Sequence, residues 1–147
     1  TFAKDVSENV MDKADAILAH ENEMQRVLQA LPATFGDALI YLMEWADISV
    51  ETLAEKALIS PKMVQRMRND PSYPKNIDSV VAICIGMNLP PELSNALISR
   101  SGYNLRLAQN EAHLMYNFFL NHLYMGSIHE CNDMLVAKSL PVMTGTE

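Results

Sequence analysis

The chain has 147 residues, 49% of them hydrophobic and 20% charged, and its 18 acidic and 11 basic side chains give a net charge of −7. That length buries one sizeable core, five glycines and seven prolines exclude a collagen-like or low-complexity chain, and no apolar run approaches the roughly 18 residues that span a bilayer. At 7%, aromatic residues are too few for a β-sandwich rich in Tyr and Trp.

Helical periodicity runs through almost the whole sequence. Val6, Val10, Ala14, Ile17 and Leu18, followed by Val27, Leu28 and Leu31, recur at three- and four-residue steps and predict a first helix over residues 1–31. Asp5 or Ser7 is suited to cap its start. Pro32 ends it, because proline disfavours the α conformation in the residue before it. A second helix begins near Thr34 and places Phe35, Leu39, Leu42, Met43 and Ala46 on one face. After a break at Asp47-Ile48-Ser49, Ser49 caps a short third helix with Leu53, Ala54, Ala57 and Leu58 inward. Ser60 caps a fourth, with Pro61 at its first position, where the missing N–H costs nothing. It runs to about Asn69, with Met63, Val64 and Met67 inward. A turn-rich loop, Asn69 to Pro74, precedes an apolar fifth helix opened by Asn76 or Asp78, with Ile77, Val80, Val81, Cys84 and Ile85 in its core stripe. The sixth covers about residues 92–101 and stops at Gly102. The seventh covers 109–124 with Leu114, Phe118, Phe119 and Leu123. The eighth is capped by Ser127 and carries Ile128, Cys131, Met134 and Leu135. No period-two strand of useful length and no internal repeat is present. The reading is an all-α protein with three parts: an amphipathic helix at 1–33, a core at 34–90 and a helical extension at 91–147.

Charge is unevenly placed. Lys62, Arg66, Arg68 and Lys75 stand together with only Asp70 among them, a window of net +3 in an acidic protein. This window coincides with two short helices joined by a tight turn, the spacing of a helix-turn-helix. Ala54 lets the two helices approach closely and Ile59 plugs the turn. Val64 and Met67 anchor the second helix, leaving Pro61, Lys62, Gln65, Arg66 and Asn69 on its outer face at three- and four-residue spacing.

Residues 49–70, with Leu53-Ala54, the turn Leu58-Ile59-Ser60, and Val64-x-x-Met67 followed by Asn69-Asp70, resemble the helix-turn-helix of phage-repressor-like, Cro-type (XRE) transcription regulators. Pro74, Ser79 and the Val80–Ile83 run resemble that family's fourth helix, and Leu89 its end; the likeness spans about 55 residues. The family usually carries Gly where Leu58 and Asp70 stand, and often a phosphate-binding Gln where Val50 stands. The resemblance implies a lambda-repressor-like five-helix core that binds double-stranded DNA. A recognition helix at about 61–69 would enter the major groove, where an α-helix fits and Arg can donate two hydrogen bonds to guanine. Lys62, Gln65 and Arg66 are then the base-contacting candidates, and Ser49, Ser60, Arg68, Asn69 and Lys75 the backbone-contacting ones. A homodimer, formed through the first helix or the 109–140 hairpin, would read a pseudo-palindromic site. Residues 116–120 and 127–135 look like extensions that follow such domains in bacterial regulators. No effector ligand is readable from them.

Other chemistries find little support. No Ser-His-Asp order, phosphate-cradling Gly loop or HExxH motif occurs, so no enzyme and no cofactor is expected. His113, His122, His129 and Cys131 invite a metal reading, but residues two apart on a helix point about 200° away from each other, and no metal site is expected. Cys84 and Cys131 fall on apolar faces and read as core thiols of a reduced, cytoplasmic protein; no signal peptide is apparent, and the opening Thr1 reads as a trimmed start. The competing reading is a protein-interaction module on the same fold that has lost DNA binding, to which the net charge and Val50 both point.

Overall fold

A computed structural model describes residues 2–145, with side chains from Glu8 onward. Its described residues form eight helices and no strand: α1 (Phe2–Ala30), α2 (Phe35–Trp45), α3 (Val50–Ala57), α4 (Pro61–Asn69), α5 (Ile77–Gly86), α6 (Pro91–Arg100), α7 (Glu111–His122) and α8 (Ile128–Ala137). Two compact units divide the chain at Leu31–Pro32. None of the described helices is long and apolar enough to cross a membrane.

The first unit is α1. Its backbone is already helical at Phe2, ahead of Asp5 and Ser7, the expected caps, whose side chains lie outside the described residues. Three residues of the expected stripe, Val10, Ile17 and Leu18, are 58–63% exposed.

In the second unit the caps follow the chemistry of the sequence. Ser49, Ser60, Asn76 and Ser127 each accept a hydrogen bond from the backbone N–H three residues on. Ser127 and Glu130 complete a reciprocal capping box. Asn110 does the same for α7, a cap the sequence reading passed over. Thr34 precedes α2 in extended conformation but makes no side-chain cap bond.

The core is centred on α5. Its residues from Ser79 to Gly86 are all buried, because it is packed by α3, α6, α7 and α8 together. Five further helix pairs, α2 on α4 and α6, α3 on α4, α6 on α7, and α7 on α8, close the unit. Leu39, Leu42, Leu53, Ile83, Leu89, Leu93 and Leu97 are fully enclosed. Arg100 ties α6 back to the start of the unit, its Nε donating to the Pro32 carbonyl at 2.6 Å.

The inner faces of α7 and α8 differ from expectation. In α7 the buried side chains are Tyr116, Phe119 and Leu120, at i, i+3 and i+4, so Leu114 and Phe118 turn outward at 53% and 51% exposure. Tyr116 enters the interior because its hydroxyl finds Asp78 at 3.0 Å. In α8 Asn132 takes an inner position and Met134 is 40% exposed. Asn132 is retained inside by two hydrogen bonds to residues 140–145: its amide donates to the Thr144 carbonyl (3.1 Å) and its oxygen accepts from the Met143 N–H (3.0 Å). That segment runs on to α3, where the buried Thr144 hydroxyl donates to the Ala57 carbonyl at 2.6 Å. Gly145, at φ +77°, lies against Leu58, and a Cβ there would come within 2.9 Å of the Leu58 side chain. The α3–α4 turn is therefore strapped from outside by residues far along the chain.

Candidate functional site

The α3–α4 pair is built as the apolar pattern requires. Leu53, Ala54 and Ala57 of α3 and Val64 and Met67 of α4 are buried, and the helices pack directly on each other and on α2 and α5. Between them Leu58 adopts the left-handed conformation, φ 56°, ψ 44°. The Leu58 N–H bonds the Glu55 carbonyl and the Ile59 N–H bonds that of Ala54, which closes α3 in a Schellman turn. Leucine thus holds a conformation that normally favours glycine. Asp70, at the end of α4, behaves differently: it is extended (φ −115°, ψ 102°) and demands no glycine. Its carboxylate accepts from the Ser72 hydroxyl and N–H, and these bonds, with Arg66 and Lys75 nearby, hold its pKa below the usual carboxylate value.

Beyond that framework α4 presents a polar face. Pro61, Lys62, Gln65, Arg66 and Asn69 are exposed, while Val64 and Met67 beneath them are at most 2% exposed. The Asn69 amide donates to the Gln65 side chain at 3.3 Å. The Arg66 guanidinium lies 5.4 Å from the centroid of the Tyr73 ring, which supports it from the following loop. The sequence reading did not single out Tyr73; its signal was an aromatic residue within a Pro- and Asp-rich loop.

The remaining candidates have structural duties. The Ser49 and Ser60 hydroxyls cap α3 and α4. Lys75 is half-buried, its Nζ over the Phe35 ring at 5.0 Å and donating to the Tyr73 carbonyl. Arg68 is also half-buried, and its Nε has no hydrogen-bond partner among the described residues. Both line a cleft of about 460 Å³ at the start of α2, with Arg100 as a third cation and Asp37 and Asp70 on the same rim. Gly36 lets α2 approach α4 there: a Cβ on it would meet the Arg68 carbonyl at 2.5 Å. Val50, at the position often filled by a polar residue in the resembled family, is buried at the start of α3.

Other reactive groups lie apart from this face. Burial pushes the Cys84 thiol up to about 12 and the Cys131 thiol up to about 11, so both are poor nucleophiles. His113 accepts from the Arg106 N–H and His122 leans on Phe118. Among the described residues no three His, Cys, Asp or Glu side chains are grouped to hold a metal ion. No family model, curated protein or solved structure matches the chain.

Proposed function

We propose that the chain is a sequence-specific DNA-binding transcription regulator whose core, α2 to α6, is arranged as in lambda-repressor-like domains. In this reading α4 enters the major groove, Lys62, Gln65 and Arg66 read base edges, and Ser49, Ser60, Arg68, Asn69 and Lys75 hold the phosphate backbone. One observation carries it: a capped helix sits on an apolar anchor and turns an exposed cationic and amide face away from the core. The three cations around the cleft at the start of α2 add positive potential beside that face. Two copies would read a pseudo-palindromic site, and exposed Val10, Ile17, Leu18, Leu114 and Phe118 offer apolar surface for pairing.

One specific observation favours a second reading, a helical protein-interaction module. The buried Val50 offers no donor to a phosphate, and the neighbouring Glu51 and Glu55 are exposed on α3. Fluorescence titration against mixed-sequence and pool-selected duplexes at two salt levels separates the two. Groove reading predicts specific binding that Arg66→Ala weakens by about 1–3 kcal/mol. If Arg66→Ala and Lys62→Ala both leave affinity unchanged at low salt, the interaction module is the better account.

A further inference from the structure

A cavity of about 380 Å³ opens between α3, the end of α5 and the α7–α8 turn. This is within the size range of small-molecule sites. Its α3 wall carries Thr52, Glu55 and Lys56, its floor is Ile85 and Ile128, and His129 stands on the α8 side.

Three features mark it as a built site. First, the far wall is fixed. Asn88, left-handed at φ 54°, donates its side-chain amide to the carbonyls of Ile85, Tyr124 and Gly126, pinning the α7–α8 turn to the end of α5. The Ser127–Glu130 capping box then sets the direction of α8, with Ile128 1% exposed. Second, the mouth is adaptable: Met125, 72% exposed, lines the cavity and has three rotatable bonds with which to close over an occupant. Third, the charges are of both signs and do not cancel. Glu55 and Lys56 are adjacent on α3 and both border the cavity. Among the described residues neither side chain forms an ion pair or hydrogen bond.

The complement of such a cavity is a small molecule with one positive group, one negative group and a compact apolar body. An uncharged hydrophobe leaves both charges unanswered, and a dianion meets Glu55. We propose that this cavity binds a free zwitterion of the α-amino acid class, its ammonium group at Glu55, its carboxylate at Lys56 and its apolar side chain on Ile85 and Ile128. An occupant would bridge α3 to the α7–α8 turn and so bias the helix that positions α4. That regulatory consequence rests on the DNA-binding reading; the binding itself does not.

The test uses the full chain without DNA. Calorimetric titration and thermal unfolding are run with each of the standard amino acids at up to about 10 mM, well above a millimolar Kd. Leucine-sized zwitterions are expected to bind and raise the Tm. Glu55→Gln and Lys56→Met, both at exposed positions, should each reduce affinity at least about tenfold while leaving the ligand-free Tm unchanged. The matched amine and the matched carboxylic acid, each lacking one charge, should not bind. The proposal is overturned if no amino acid binds, if binding is indifferent to both substitutions, or if the amine or the acid alone binds as tightly. Repeating the DNA titration with bound ligand then reads the regulatory arm, for which a shift of about 5- to 150-fold is expected. An absence of any DNA binding would remove that arm and leave the cavity result intact.

Discussion

Asp47, Leu58, Asn88 and Ser139 share one backbone state, φ between 53° and 59°. Each follows the end of a helix, and each is followed by an apolar residue: Ile48, Ile59, Leu89 and Leu140. In all four the N–H of that apolar residue reaches five residues back, to Met43, Ala54, Cys84 and Leu135. Four helices of this chain therefore close in the same way, and none uses the glycine that makes such an end visible in a sequence. The breaks near 47–49 and 88–89 were legible; the left-handed residue within each was not, because Asp, Leu, Asn and Ser also occur in many other settings. A left-handed non-glycine residue costs about 1–2 kcal/mol, and glycine's extra freedom when unfolded returns about 0.5–1 of that. At exposed Ser139, Ser139→Gly should therefore raise stability by about 0.5–1 kcal/mol, read as a later midpoint in urea. Leu58→Gly should gain less or lose, because the Leu58 side chain packs against Gly145. Equal gains at both positions would show that this contact stabilises nothing.

At the level of elements, helix number and order follow from caps and prolines, while the faces of α7 and α8 did not. Spacing alone allowed two apolar stripes on α7, and the buried one includes Tyr116, which the pattern treats as polar. What selects it is a long-range partner, Asp78, 38 residues away. Asn132 on α8 is the same case, a polar residue drawn inward by the 140–145 strap. On α4, by contrast, the outward set Lys62, Gln65, Arg66 and Asn69 was readable directly, because nothing distant competes for that face. The strap can be weighed by one nearly isosteric change. Thr144→Val removes the hydroxyl that satisfies the Ala57 carbonyl and leaves that buried acceptor unpaired, at a cost of about 1–3 kcal/mol. Urea unfolding measures the loss, and amide exchange at Leu58 and Ile59 should accelerate with it. A wild-type midpoint in Thr144→Val would mean that water replaces the hydroxyl freely.

For the whole molecule, the contrast between a net charge of −7 and one cationic face governs how it would meet DNA. Four cations per copy, all releasing counterions, give a dimer a slope of log K against log salt of roughly −7. Of these four, Lys62 and Arg66 are exposed, whereas Arg68 and Lys75 are half-buried and Lys75 is engaged with Phe35 and Tyr73. The slope should accordingly lie nearer to about −4, measured across a salt series with the preferred duplex. A slope of −7 or steeper would mean that the two inner cations swing out on binding. The strap has one more consequence, for the order of assembly. Thr144 clasps Ala57 across 87 positions, so a nascent chain emerging from the ribosome holds its α3–α4 turn unclasped until residue 144 has been synthesised. Closing so long a loop is slow relative to forming the helices it joins. The α3–α4 turn is thus finished late, well after its own residues have left the exit tunnel.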